Sequence, residues 1–313
     1  MIKGVMYSQG KLKNLDARSL RVGKELVWIY SSESSLKELQ TISHLTHVPL
    51  FELKHSLDPR EKPRIANKDG YSVLIFRALR SRDLSNKDTF PIEFIAGKRF
   101  LIMLTPEKNE TLDALFRDTD ASSWKAAQKD GFGVFIFRTL LRLLRDYETF
   151  LEYADDVIDE LEEAAMEYDE KQLKKLLNLK RELVFLRRSL LVNKDMVNGI
   201  AIEPPLHVVL NDWYQELLTE YAQVSSTEEL IQDRVTSVTY MFLSSSNNAL
   251  NRTVKNLTVI ATVFLVPMLI TSMYGMNLIL PLGKHPDGFL IINAINVFFM
   301  LLMYLFFRMK KWL

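Results

Sequence analysis

Short apolar segments separated by polar ones fill roughly the first 125 residues of this chain. A polar helical stretch, Ser35–His47, ends before Pro49. Strands are predicted around it at Leu26–Tyr30, Tyr71–Leu79, Ile92–Ile95 and Arg99–Leu104, the last two joined by Ala-Gly-Lys as in a hairpin. We therefore predict an α+β domain over residues 1–130.

A helical period replaces this pattern from residue 131 onward. Apolar side chains recur at steps of three and four, at Leu140, Leu144, Tyr147, Leu151, Ala154 and Ile158. Two long helices that fold back near residues 167–170 fit this charged segment, so we predict a helical hairpin over 131–203. After Pro204 and Pro205, the segment from His207 to Tyr274 holds one proline and no glycine. It predicts one long stalk helix, with residues 204–256 as its polar part.

Two apolar segments near the C-terminal end, Leu257–Met273 and Gly288–Phe307, carry no charged residue. Each is long enough to cross a bilayer, which takes ~20 apolar residues. We predict a first transmembrane helix over residues 257–277 and a second over 288–307. Residues 278–287 are then an external loop, and residues 308–313 a basic tail.

Positive charges are distributed unevenly between the two ends of these spans. The loop has one cation, Lys284, whereas five flank the spans elsewhere: Arg252 and Lys255 before the first, and Arg308, Lys310 and Lys311 after the second. The positive-inside rule places both termini, and the polar body, in the cytoplasm. The first residues have no signal-peptide pattern. We expect a multi-pass protein of the cytoplasmic membrane, with membrane lipid as a partner.

Composition narrows the function classes. The formal charge of +1 gives no bias toward nucleic acid, so no nucleic-acid partner is predicted. The chain has no cysteine, which removes disulfides, thiolate metal sites and cysteine nucleophiles. Phosphate-cradling motifs and a nucleophile with its base are absent from the sequence. We predict neither an enzyme nor an organic cofactor.

One face of the last helix carries a seam with a heptad period. Its members follow alternating steps of three and four: Asn251, Val254, Thr258, Ala261, Leu265, Met268 and Ser272. One interpretation is a packing seam between membrane helices, which small and polar residues favour. The other is a pore wall, in which hydroxyl and amide groups alternate with apolar rings that can close by dewetting.

Two spans cannot enclose a channel, so a pore would need a ring of several copies. Neither span contains an acidic, basic or histidine side chain, which leaves a proton relay without groups to use. The lack of ionisable side chains in both spans therefore favours passive conduction. The carboxamide of Asn277, where the first span ends, can accept hydrogen bonds from the water shell of a magnesium ion, which dehydrates reluctantly.

These residues resemble the CorA family of magnesium channels. The resemblance is carried by Tyr274-Gly275-Met276-Asn277, by the two spans ending in Lys310-Lys311-Trp312-Leu313, and by Asn251 with the run from Leu257 to Phe264. It extends more loosely through Lys62-Pro63-Arg64-Ile65 and the charged helices. It implies a homopentamer with an α/β cytosolic domain and a stalk helix that lines the pore, conducting hydrated Mg²⁺ and also Co²⁺ or Ni²⁺.

The resemblance also assigns roles. Tyr274, Gly275, Met276 and Asn277 would form the selectivity filter. Leu257 and Leu265 would be hydrophobic constrictions, Asn251 a polar ring at the cytoplasmic mouth, and Thr258, Ala261 and Met268 the wall between. A basic collar would come from Arg308, Lys310 and Lys311.

The chain departs from the family pattern in two places. Leu280-Pro281-Leu282 stands where many members have Met-Pro-Glu in the outer loop. Lys54-His55 stands where many have a Glu-Asp pair of a subunit-interface magnesium sensor. Three other acids are the candidates for a regulatory metal: Asp58, Asp212 and Glu216.

Two alternatives remain open: a zinc transporter on the same scaffold, and a membrane-anchored helical scaffold without a pore. Clustered acids at Asp155, Asp156, Asp159, Glu160, Glu162 and Glu163 are interpreted as a solvated helix face. We expect them to pair across the hairpin with basic residues: Lys171, Lys174, Lys175, Arg181, Arg187 and Arg188.

Overall fold

The computed structural model describes residues 2–8, 10–16, 21–80, 89–165, 169–210, 212–276, 280–282, 285–310 and 312. The chain divides into two compact units. The first comprises Met1–Leu161 and Lys174–Ser237, and the second comprises Glu162–Leu173 and Val238–Leu313.

The first unit is built on a seven-stranded sheet in the order β2-β1-β3-β7-β6-β5-β4. All neighbours are antiparallel except β3 and β7, which are parallel. The strands are β1 Ile2–Ser8, β2 Lys11–Asp16, β3 Leu26–Ser32, β4 Arg64–Lys68, β5 Tyr71–Leu79, β6 Thr89–Gly97 and β7 Phe100–Thr105. The central strands β6 and β7 are buried along their whole length, so they form the core of the unit.

Shorter helices surround this sheet: α1 Leu36–Thr46, α2 Leu50–Leu53, a 3₁₀ turn at Lys54–Leu57, α3 Glu110–Arg117 and α4 Ala121–Asp130. Helix α1 starts with a capping box, in which the Ser35 side chain accepts from the Glu38 backbone N–H and the Glu38 carboxylate accepts from the Ser35 backbone N–H. Two donors at the helix start are satisfied in this way.

The long helices are α5 Gly133–Ala164, α6 Glu170–Ile202, α7 Asp212–Tyr274 and α8 Gly288–Met309. The predicted α5 stripe from Leu140 to Ile158 is buried throughout. The predicted reversal lies between Ala164 and Glu170, and residues 166–168 within it lie outside the described residues. The fold class predicted from the sequence is confirmed.

One of the pairings predicted between the acidic and basic segments is present within the first unit. Lys175 Nζ lies 2.5 Å from Glu160 Oε2. Arg234 of α7, which the sequence prediction did not include, binds both Asp155 and Asp159. These contacts are exposed, so each is worth ~0–1 kcal/mol.

Polar side chains attach the helices to the sheet. The Asn193 amide of α6 accepts from the Arg77 backbone N–H at 2.9 Å and donates to the Arg77 carbonyl at 2.8 Å. The Tyr147 hydroxyl of α5 donates to the same carbonyl and lies 2.7 Å from the Ser189 hydroxyl. These buried bonds form at Arg77, beyond the last β5 residue that pairs with β4, and they hold the middle of α5 and the C-terminal part of α6 against the sheet.

The predicted start of the last helix at His207 is wrong. His207 has a left-handed backbone with φ of 58°, and Val208 forms an isolated bridge with Gly131. A Cβ on Gly131 would lie 1.8 Å from the His207 carbonyl oxygen, so the two loops meet closely. This contact keeps the segment extended, and α7 begins at Asp212.

The prediction of strands was incomplete. β1, β2 and β4 were not predicted, because their alternation is weak and partly charged. β6 begins at Thr89, three residues before the predicted Ile92, since its pairing with β5 continues to Thr89 opposite Leu79. Phe100, rather than Arg99, begins β7.

Candidate functional site

Two helices of the second unit, α8 and the C-terminal part of α7, have the length and composition of membrane spans. Only 11% of the most apolar segment of α7 and 6% of that of α8 are buried within the chain. A soluble core helix would instead be mostly buried. Their apolar surface is therefore available to lipid or to other copies of the chain.

The predicted seam on α7 is exposed at every position, at Asn251, Val254, Thr258, Ala261, Leu265, Met268 and Ser272. The Leu265 and Met268 side chains are 61% and 70% exposed. The opposite face behaves differently, since Val259 is buried at 3%. The seam therefore faces away from the rest of its own unit.

Hydroxyl groups on this segment are satisfied within the helix. The Thr258 hydroxyl donates to the Val254 carbonyl at 2.8 Å, and the Thr262 hydroxyl donates to the Thr258 carbonyl at 2.8 Å. With its proton engaged, the Thr258 hydroxyl oxygen presents lone pairs outward. Such an oxygen can accept a hydrogen bond from water, including water bound to a cation.

A buried amide connects α8 to α7. Asn296 is 7% exposed, and its Nδ2 donates to the Thr271 hydroxyl at 3.4 Å. The Thr271 hydroxyl in turn donates to the Pro267 carbonyl at 2.8 Å. Pro267 has no N–H for the carbonyl one turn before it, so this polar chain lies where the α7 backbone is weakest. The sequence prediction missed Asn296, although an asparagine in an apolar span is a recognisable signal.

The predicted filter lies where α7 ends, and it is only partly described. Gly275 N–H donates to the Thr271 carbonyl at 2.9 Å, and Met276 N–H donates to the Met273 carbonyl at 3.2 Å, so the helix closes in a tight turn. The Tyr274 hydroxyl donates to the Pro281 carbonyl at 3.1 Å and ties the following loop to the helix end. Asn277 lies outside the described residues.

At the other end of the spans, Arg308 and Lys310 are both exposed where α8 ends. Trp312 packs on Phe307 with ring centroids 5.6 Å apart, and its backbone N–H donates to the Phe307 carbonyl. Lys311, the third member of the predicted collar, lies outside the described residues.

The candidate regulatory acids are not brought together with other ligands. Asp58 accepts from the Arg60 backbone N–H at 2.9 Å, which occupies one carboxylate oxygen. Asp212 and Glu216 are exposed on the first turns of α7. In the part of the chain that the structure describes, His, Asp and Glu form no group of three able to hold a metal ion.

Glu216 also borders a groove of about 800 Å³ in the first unit. The groove is lined by four arginines and four acids: Arg117, Arg138, Arg142, Arg145, Glu110, Asp113, Asp118 and Glu216. The Arg138 guanidinium lies 5.5 Å from the centroid of the Trp213 ring. The lining of the groove therefore carries equal numbers of acidic and basic side chains.

Lys54 and His55 lie in the 3₁₀ turn. Lys54 is exposed, and His55 Nδ1 is 3.3 Å from Glu61 Oε2. Glu61 Oε1 is itself 3.8 Å from the Arg64 guanidinium. The turn is therefore held by a mixed-charge cluster rather than by free carboxylates.

A buried glutamate on β6, Glu93, was not predicted. Glu93 is 1% exposed and lies opposite Ile75 of β5 and Leu104 of β7. Burial raises the pKa of its carboxyl to about 8, against a smaller opposing attraction to Arg64. The Ser56 backbone N–H is near enough to lower the pKa slightly, but neither carboxylate oxygen makes a true hydrogen bond within the described residues. Burial therefore favours the neutral carboxyl over the ionised form.

Together, a seven-stranded α+β domain, long charged helices and two apolar helices with an exposed heptad seam define a membrane transporter with its spans at the C-terminal end. The sequence matches the family described as CorA-like Mg²⁺ transporter protein over residues 23–311. The chain belongs to this family.

Relatives agree with this assignment. The chain is 26% identical over 293 residues to the cobalt/magnesium transport protein CorA of Methanocaldococcus jannaschii, covering 92% of each chain. It is 24% identical to the protein of the same name from Thermotoga maritima, over 88% of this chain and 80% of that one.

Solved structures show the same fold. The complete CorA magnesium transporter of Methanocaldococcus jannaschii superposes with a TM-score of 0.85 at 23% identity, over 100% of this chain and 99% of that chain. The full-length CmaX protein superposes with a TM-score of 0.74 at 19% identity, over 99% of this chain and 97% of that one. A ZntB cytoplasmic domain from Vibrio parahaemolyticus reaches 0.62 at 11% identity, over 79% of this chain and 98% of that domain.

Proposed function

We propose that this chain is one subunit of a passive channel for hydrated Mg²⁺, with Co²⁺ and Ni²⁺ as further ions, in the cytoplasmic membrane. The observation that carries the proposal is the exposed heptad seam of α7, which combines oxygen-bearing and apolar side chains without a charge. Two relatives are named cobalt/magnesium transport proteins, and this supports the choice of ion.

The pore is formed by a ring of copies, most simply the pentamer that the family resemblance implies. Each copy contributes its α7 seam, since two spans cannot enclose a water-filled path. Copies related by cyclic symmetry place equivalent residues in rings. Asn251 and Thr258 then supply polar rings, and Leu257, Leu265 and Met268 supply apolar ones. Val254, Ala261 and Ser272 complete the wall.

Ion selection takes place at the helix end. Tyr274, Gly275 and Met276 position the Asn277 carboxamides, whose oxygens accept hydrogen bonds from the water shell of the cation. A neutral ring holds a hydrated ion more weakly than carboxylates do, so release is fast. The bond from Tyr274 to the Pro281 carbonyl supports this role, because it anchors the loop directly after the filter.

The membrane potential drives uptake. Moving a divalent cation through 100 mV is worth ~4.6 kcal/mol, twice the ~2.3 kcal/mol per elementary charge. No coupled ion is needed. With both termini cytoplasmic, the collar of Arg308, Lys310 and Lys311 lies at the inner exit, where its charge limits backflow of cations.

The proposal is tested with purified protein in liposomes. Native mass spectrometry gives the number of copies, and flux is compared for Mg²⁺, Co²⁺, Ni²⁺ and Zn²⁺ at an imposed potential. We expect a pentamer with potential-driven Mg²⁺ flux and no dependence on a pH gradient. Zn²⁺ flux without Mg²⁺ flux would establish a zinc transporter instead. A protein that forms rings and conducts none of the four ions would be a scaffold.

A further inference from the structure

The exposed seam on α7 does not begin at Asn251. Its alternating steps continue toward the start of the helix through Asn247, Ser244 and Tyr240. All three are exposed, and the Tyr240 side chain is 67% exposed. The whole stretch from Tyr240 to Ser272 belongs to the second compact unit.

A seam with a heptad period keeps one face toward a shared axis. A straight α-helix drifts by ~20° per heptad from a 3.5-residue repeat, and helices that keep the repeat coil around one another, so the seam stays inward. The extension from Asn251 to Tyr240 preserves the repeat without a break. Tyr240 therefore faces the same axis as Asn251 when copies assemble.

The extension has a distinct chemical order. Three consecutive polar positions, Ser244, Asn247 and Asn251, lie between Tyr240 on one side and the apolar Val254 on the other. At ~1.5 Å per residue, Tyr240 lies roughly 16 Å before Asn251 along the helix. This order describes a polar compartment with an apolar boundary at each end.

Two ordinary roles for an exposed tyrosine do not fit Tyr240. It lies roughly 25 Å of helix before Leu257, where the first span starts, and this is too far for an aromatic at the membrane interface. It is also no core residue, because nearby Phe242 occupies the buried face of this turn at 1% exposure.

We propose that the Tyr240 side chains of the assembled copies form an aromatic constriction at the cytosolic entrance of the path. Beyond this ring, Ser244, Asn247 and Asn251 line a polar compartment that holds a hydrated divalent cation. The inference rests on the proposed channel and adds a second closure to it. The ring closes by bulk and apolarity, which dewet a narrow path, so the phenol hydroxyl is dispensable.

The native chain has no cysteine, so a single introduced thiol reports access without background. Ser244→Cys places that thiol just beyond the proposed ring. In inside-out membranes held closed by high Mg²⁺, a trimethylammonium methanethiosulfonate applied from the cytosolic side modifies it slowly. Adding Tyr240→Ala should raise the modification rate at least roughly tenfold, because a dry barrier is removed.

Matched variants distinguish an effect of side-chain bulk at position 240 from a general disturbance of the helix. Tyr240→Phe should keep the slow rate, and Tyr240→Ser should open access like Tyr240→Ala. Met241→Ala, one residue away and off the seam, should leave the rate unchanged. Equal rates in Tyr240→Ala, Tyr240→Ser and the Ser244→Cys parent would overturn the constriction, as would an equal increase from Met241→Ala. Mg²⁺ flux of the unsubstituted protein tests the channel itself separately.

Discussion

The Asn296 amide of α8 donates to the Thr271 hydroxyl of α7 across 3.4 Å, and the same hydroxyl donates to the Pro267 carbonyl. Two helices in an apolar setting are thereby connected at the one proline of α7. Polar contacts between membrane helices average ~0.6 kcal/mol and reach ~1.7 kcal/mol.

We therefore expect Asn296→Val and Thr271→Val to be coupled. A double-mutant cycle, measured by unfolding in mixed detergent micelles, should show a coupling free energy of about 0.5–1.5 kcal/mol. Asn293, which is exposed and donates to the Phe289 carbonyl of its own helix, is the matched control. Coupling of Thr271→Val with Asn293→Val should be near zero, and equal values for both pairs would refute a specific Asn296–Thr271 bond.

Asn277→Ala should abolish selective divalent uptake while the ring still assembles, because the carboxamides order the water shell of the ion. Asn277→Asp should bind the ion more tightly and release it more slowly. Flux in liposomes and native mass spectrometry measure the two properties. Asn293→Ala should conduct normally. If Asn277→Ala keeps the parent's selectivity, the ion is selected elsewhere.

Leu257 and Leu265 should act as dry rings in the closed channel. Both are more than 60% exposed within one chain, at 62% and 61%, so they are free to meet copies of themselves. Replacing either by Ser should raise the leak at high Mg²⁺ several-fold, because water enters a polar constriction more readily. The exposed Phe298 of α8, replaced by Ser, serves as the control. Unchanged leak in both leucine variants would place the gate elsewhere.

Glu93 makes stability depend on pH. Its folded pKa of about 8 lies above the ordinary value of 4.5, so the unfolded chain releases this proton at a lower pH than the folded chain does. The free energy of unfolding is therefore highest below pH 4.5 and falls as the pH rises toward 8. Ionising the buried carboxyl costs on the order of 5 kcal/mol. Glu93→Gln keeps the neutral form, so its unfolding temperature should fall less than that of the parent between pH 6 and 9.

The control for this pH dependence is Glu152→Gln, at an exposed position on α5. It should follow the parent across the whole pH range. Identical pH slopes for the parent and Glu93→Gln would show that Glu93 does not titrate in this range.

We expect Lys54 and His55 to make the channel close less readily when cytosolic Mg²⁺ rises. Lys54 repels a divalent cation, and His55 is a poor magnesium ligand held near Glu61. Closure should therefore need high Mg²⁺, or depend on Asp58, Asp212 or Glu216 meeting ligands of another copy. Lys54→Glu/His55→Asp should close at lower Mg²⁺ in a flux titration. A parent that already closes steeply at low Mg²⁺, with an unchanged double variant, contradicts this expectation.

The sequence alone determined the parts of this protein that depend on local composition. Charge-free runs predicted the spans, since length and polarity decide whether a helix can cross a bilayer. The buried stripe from Leu140 to Ile158 followed from its period, and the period also placed the seam from Asn251 to Ser272 on one helix face. The pattern Tyr274-Gly275-Met276-Asn277 at the end of a span pointed to the family.

Only the tertiary structure decided features that depend on distant contacts. α7 begins at Asp212 rather than His207 because Gly131 meets the His207 carbonyl, a contact between segments far apart in the chain. Glu93 occurs in a strand whose sequence does not reveal its neighbours, so its burial and raised pKa required the sheet. Asn296 and Thr271 are 25 residues apart and meet because two helices pack. Periodicity reports which face of an element is buried, whereas packing alone reports what that face touches.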